Sequence, residues 1–129
     1  MIGDKEQHFQ GKGTDLNGLQ GKVESYLQGE GFTVQTSAPS EQGTVIQAKK
    51  GGFLSGVIAA DRALTITITG DSNDFTVKIG IGKWLEHLGV TTAEVLLLTP
   101  LFVVVDVPEM AWNFEIENKL AKQIEAFVG

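Results

Sequence analysis

The sequence predicts an α+β domain: an antiparallel sheet of four to five strands in the order (β)αββββ, followed by C-terminal helices packed on one face. Three observations carry that prediction. Leu64, Ile66 and Ile68 alternate with Thr65, Thr67 and Thr69, and Phe75, Val77, Ile79 and Ile81 alternate with Thr76, Lys78, Gly80 and Gly82. This is the period of strands with one apolar face. Ahead of them, Leu16, Leu19, Val23, Tyr26 and Leu27 recur at three- and four-residue spacing. Behind them, Trp112, Ile116, Leu120, Ile124, Phe127 and Val128 do the same, with Glu115, Glu117, Lys119, Lys122 and Glu125 largely opposite. Both runs have the period of amphipathic helices.

The elements follow in order. Residues 5–10 suit a short first strand, although 1–13 as a whole could equally be poorly ordered. Thr14 or Asp15 offers the oxygen that caps the first helix, and Gly29 and Gly31 end it, because glycine enters the left-handed C-cap without steric cost. Gly18 and Gly21 cost that helix roughly 1 kcal/mol each relative to Ala, and a role in close helix-on-sheet packing would explain them. Phe32, Val34 and Thr36 share a strand face. Pro39 to Gly43 makes a turn, and Thr44 to Lys50 returns with Ile46 and Ala48 facing inward. Residues 53–61 read as a connector over one end of the core. Gly70 to Asp74 is the turn of the alternating hairpin, whose threonine face is expected to be wet. Past Gly82 the pattern turns helical, with a short turn from Lys83 to Leu88 stopped by Gly89. Pro108 opens the last helix.

Composition narrows the function classes. The chain has 129 residues, 42% of them apolar and 20% charged, so it forms one globular domain over 1–129 and needs no covalent or metal staple. It has no cysteine, which removes disulfides, thiolate zinc sites, iron–sulfur clusters and a cysteine nucleophile. The formal charge of -6, with Lys49-Lys50 as the adjacent basic pair, argues against nucleic acid, whose phosphates need clustered cations. The first residues carry no apolar run behind their charges, so no signal peptide is expected. The apolar run 95–105 is too short to span a bilayer, which needs about 20 residues. Its acidic neighbours Glu94 and Asp106 argue for burial in the core or a partner rather than at an anionic membrane.

The segment from Arg62-Ala63-Leu64-Thr65 through Asp74-Phe75-Thr76-Val77-Lys78-Ile79-Gly80-Ile81-Gly82-Lys83-Trp84, with Tyr26-Leu27, Gly31-Phe32 and Val45 to Lys50 before it, resembles a small uncharacterised bacterial α+β domain family. The resemblance covers roughly residues 14–88. It implies a small cytoplasmic domain, often followed by a hydrophobic segment, with no activity to transfer onto residues. Pro100 and Asp106 interrupt that following segment here, a departure from the family pattern. By element order alone the chain is also similar to the TATA-binding-protein-like half-domain, the cystatin fold and a reduced helix-grip fold, an order that implies no function.

Catalytic chemistry is hard to find in the sequence. The Gly-Lys pairs lack the flanking residues of a phosphate loop. His8 and His87 have no metal-binding spacing, and no serine sits in a nucleophile elbow. No cofactor and no metal are expected. Four residues are candidate ligand contacts: Arg62, the sole arginine, whose fork suits an anion; His87, a base or pH-responsive group; and Trp84 and Trp112, which could rim an apolar pocket between the sheet and the last helix. A candidate interaction face comprises Thr65, Thr67, Thr69, Thr76 and Lys78 on the sheet, with Leu98 and Phe102 in the apolar run. The leading expectation is a noncatalytic binding or interaction module, engaging a protein partner or a second copy. The alternative is an apolar-ligand or lipid binder with peripheral membrane contact through 95–105, and a small enzyme ranks last.

Overall fold

The computed structural model describes residues 4–38, 43–49, 62–85, 88–90 and 107–128, with side chains at all of these except 4, 5, 62, 81, 83 and 107–117. Five strands, β1 (Asp4–Gln10), β2 (Thr33–Thr36), β3 (Gly43–Lys49), β4 (Arg62–Asp71) and β5 (Asp74–Lys83), form one antiparallel sheet in the order β1-β5-β4-β3-β2. Helix α1 (Leu16–Gly29) lies between β1 and β2 in sequence, and helix α2 (Val107–Val128) closes the chain. The architecture is α+β, as the alternation and helical periods predict. Among the described residues no helix is long and apolar enough to cross a membrane.

The period-two pattern places the core. Thr44, Ile46 and Ala48 stand opposite Ile68, Ile66 and Leu64, and these in turn pair Ile68 with Val77 and Ile66 with Ile79. Their side chains share one face, where Leu19, Val23 and Leu27 of α1 and Leu120, Ala121 and Ile124 of α2 meet them. Helix α1 lies against β2 and β3, and α2 against β1 and β5, so two helices cover one sheet face side by side. Each fully buried Leu or Ile contributes roughly 1.5–3 kcal/mol relative to exposure. Tyr26 packs at the rim of this cluster. Burial, and secondarily the Glu30 carboxylate, push its phenol above its ordinary pKa.

Asp15, one of the two residues expected to cap α1, is the cap: its Oδ1 accepts from Asn17 N at 3.2 Å. The preceding loop is latched to the hairpin turn. Gly11 N donates to Asn73 O (2.7 Å), Thr14 N to Ser72 O (2.9 Å) and Gly13 N to Asn73 Oδ1 (3.0 Å). The hairpin thereby sets where α1 begins.

Four expectations need correction. The hairpin turn is Ser72-Asn73 alone, because pairing runs on to Asp71 opposite Asp74; Asp71 Oδ1 accepts from Asn73 N and Asp74 N and so holds the tight turn. Gly70, at φ +113°, is already in the strand, where a Cβ would stand 2.3 Å from Asp74 O. Strand β5 continues through Lys83, so the helical turn comes later, as a 3-10 turn over Leu88–Val90 with Gly89 inside it. The glycines of α1 do not serve close packing on the sheet. A Cβ at Gly21 meets nothing within 4 Å, and one at Gly18 meets only the Asp15 side chain. Gly21→Ala is therefore expected to stabilise the fold by up to about 1 kcal/mol, read as a rise of a few degrees in melting temperature.

The fourth correction concerns the threonine face. Thr65 is 0% and Thr67 5% exposed, alongside Val45, Gln47 and Ala63 at 0%. The sheet is buried on both faces over this half, and threonine here is an interior residue. Trp84 and Leu85 account for part of the cover. Gln35 and Gln47 are cross-strand neighbours and hold the backbone N–H and C=O of one residue: Leu85 N donates to Gln47 Oε1 (2.9 Å), and Gln35 Nε2 donates to Leu85 O (2.7 Å) and to Gln47 Oε1 (3.0 Å). Gln47 Nε2 donates onward to Thr65 Oγ1 (3.1 Å), which donates to Ala63 O (3.2 Å). Lys49 Nζ lies 4.4 Å from the Trp84 ring centroid, a cation–π contact at the edge of the cover.

Candidate functional site

The largest open space bounded by described residues lies at the hairpin end of the sheet, where α1 begins. It is a half-open cleft of about 770 Å³. One wall is the first turn of α1 and its cap, Thr14, Asp15, Leu16, Asn17 and Gln20; the other is Ser37, Gly43, Thr44, Ile68, Gly70 and Ser72. The geometry follows from the latch. Tying residues 11–14 to the hairpin turn lifts the start of α1 away from β3 and β4, while Leu19, Val23 and Leu27 seat the rest of the helix on the core.

The cleft is rich in hydroxyls and amides. Ser37 Oγ accepts from Val45 N at 3.0 Å and lies 3.4 Å from Thr44 Oγ1. Thr14 Oγ1 is buried and has no hydrogen-bond partner among the described residues. Gln20 Nε2 donates to Glu24 Oε2 (3.0 Å), which also accepts from Thr36 Oγ1 (2.9 Å). Asp15 is the charged residue among the lining residues named, and Ile68 forms an apolar floor. The one group in the described lining that could serve as a base is the Asp15 carboxylate, and its Oδ1 accepts from Asn17 N as the cap of α1. Among the described residues no cluster of three metal-ligating side chains occurs.

No protein-family model matches the chain, and no curated protein or solved structure is significantly similar to it. The site is therefore read from its own geometry.

The residues singled out from sequence are not brought together here. Trp84 is half-buried at the opposite end of the sheet, under Lys49. Arg62 opens β4 opposite Lys83 and Trp112 lies within α2, but both side chains fall outside the described residues, as do His87, Leu98 and Phe102 and the whole run 95–105. Of the expected interaction face, Thr69, Thr76 and Lys78 are half-buried, whereas Thr65 and Thr67 are interior and present nothing to a partner. The described part of α2 packs closed on the sheet through Leu120, Ala121 and Ile124 at 0–2% exposure; the expected apolar pocket rimmed by Trp112 lies outside the described residues. The cleft residues went unnoticed because they come from several separate segments. Their one linear signal, Asp15 before an apolar period, reads only as a helix cap.

Proposed function

We propose that the chain is a noncatalytic binding module whose cleft at the start of α1 takes a small, uncharged, hydroxyl-bearing ligand such as a polyol or sugar. The cleft's size and lining carry this reading. A volume of about 770 Å³ is in the range of small-molecule sites. Hydroxyls and amides of Thr14, Asn17, Gln20, Ser37, Thr44 and Ser72 offer both donors and acceptors, and Ile68 supplies an apolar floor. An anion would meet the Asp15 carboxylate with no cation in the described lining, in a protein of net charge -6. Asp15, the one potential base among the described lining residues, is engaged in capping α1, which favours binding over turnover. The resemblance to a cytoplasmic bacterial domain family belongs to this same reading and adds no ligand to it.

The test is a ¹H–¹⁵N NMR titration of the labelled protein with glycerol, inositol and a hexose at millimolar concentration, and with phosphate as the anionic control. At least one hydroxylated probe is expected to move the amides of Thr14 to Gln20, Thr44 and Ile68 to Ser72, and phosphate to leave them in place. Thr44→Trp, which fills the cleft from β3, is expected to abolish the response while the protein stays folded. No shift at these amides with any hydroxylated probe, or an equal response in the filled variant, would overturn the proposal.

A further inference from the structure

The two edges of the sheet differ. Strand β2 is four residues long, and the 3-10 turn lies beside it: a Cβ at Gly89 would stand 3.8 Å from Thr36 O. Strand β1 has seven residues, and among the described residues it pairs only with β5, in unbroken register from Asp4 opposite Gly80 to Gln10 opposite Asp74. It contains no proline and no bulge. An edge of about 24 Å with regular geometry is a template for a further strand.

We propose that this edge pairs with β1 of a second copy of the chain, antiparallel about Gln7. The sequence of the strand is self-complementary in that register. With Gln7 facing Gln7 on a two-fold axis, Glu6 of each chain stands opposite His8 of the other, giving two acid–imidazole pairs on the outer face. Glu6 and His8 are both exposed and flank the axis symmetrically; His8 Nε2 already bonds Asp74 Oδ1 of its own chain, so it is Nδ1 that meets the partner's Glu6. A second observation sits on the axis itself. Gln7 Nε2 donates to Ala121 O at 3.2 Å, while its Oε1 is buried and has no hydrogen-bond partner among the described residues. A buried acceptor left unpaired is costly. A short side-chain rotation at the axis lets the facing Gln7 amide supply the missing donor, reciprocally in both chains. The same pairing satisfies the open strand edge and joins two five-stranded sheets into one of ten, the isologous contact that two-fold symmetry requires. One strand edge covers far less than the roughly 800 Å² per partner of a standard interface, so the association is weak and concentration-dependent. It is independent of the cleft.

Sedimentation velocity over a wide concentration range tests it. The wild type is expected to rise from the 13.9 kDa of one chain toward twice that mass. His8→Glu sets two carboxylates opposite two others, and like charges directly opposite are destabilising; dissociation is expected to ease by about fivefold or more. Adding Glu6→Lys to His8→Glu restores opposite charges in the same register and is expected to recover the dimer. Circular dichroism melts confirm that both variants fold. Hydrogen exchange of the wild type supplies a variant-free check, with β1 amides slowing as concentration rises. A wild type that stays at one chain's mass throughout, a dimer indifferent to both substitutions, or β1 exchange that ignores concentration would each overturn the proposal.

Discussion

Gln47→Ala is expected to destabilise the protein by about 3 kcal/mol and to free Trp84 and Leu85 from the sheet. Gln47 is fully buried, and its amide accepts from Leu85 N and Gln35 Nε2 while donating to Thr65 Oγ1. Truncation leaves Leu85 N without its acceptor and Thr65 Oγ1 without the donor it receives. Each buried group orphaned in this way costs about 1–3 kcal/mol, beyond the small net value of a hydrogen bond. For a chain of this size the loss corresponds to a melting temperature lower by roughly 10 °C. Two measurements check it: urea unfolding for the free energy, and Trp84 fluorescence for the local effect. Trp84 neighbours Leu85, and its ring lies under Lys49, so its emission is expected to shift to the red as the segment lifts. A loss under about 1 kcal/mol with unchanged emission would mean that the two glutamines do not hold the cover in place.

Phe75→Ala carries the other large expected effect, about 4 kcal/mol. Phe75 is 1% exposed and is the largest of the fully buried side chains. It pairs with Phe9 of β1 and Gly70 of β4, and its ring stacks on Phe9 at 5.1 Å between centroids. Removing it costs the transfer free energy of the ring and leaves a cavity that well-packed neighbours close only partly. The damage is directional. Phe9 loses its stacking partner, so β1 is expected to gain more hydrogen exchange than β2 and β3, which Phe75 does not join. Phe75→Leu keeps most of the volume and is expected to cost under about 1.5 kcal/mol, which keeps the comparison measurable where the alanine variant is too unstable to purify. Equal loss of protection across all five strands would contradict the assignment of Phe75 to the β1–β5–β4 seam.

Legibility in the sequence followed the range of the interaction. The hairpin of β4 and β5, helix α1 and the end of α2 are each written in a repeating spacing: Leu64, Ile66 and Ile68; Leu19, Val23 and Leu27; Leu120 and Ile124. Burial on one face imposes that spacing locally, so it survives as a linear pattern. The threonine face misled for a related reason. Thr65 and Thr67 have the propensity of a strand whether their face is wet or dry, and the side chain carries no mark of which. The cover is set by Gln47 to Leu85 and Gln35 to Leu85 bonds, between residues 38 and 50 positions apart. The cleft is equally non-local, since Asp15, Thr44 and Ser72 become neighbours only through the latch of residues 11–14 on the hairpin turn.

The sequence by itself therefore determined the α+β class, the order of strands and helices, the inward faces and the cap of α1, because period and capping chemistry act within a few residues. Tertiary structure alone decided that the second sheet face is dry over half its extent, that a cleft opens at the start of α1, and that among the described residues β1 ends the sheet with one edge unpaired. Each of these depends on which distant backbone groups find partners across the fold, and no local spacing encodes that pairing.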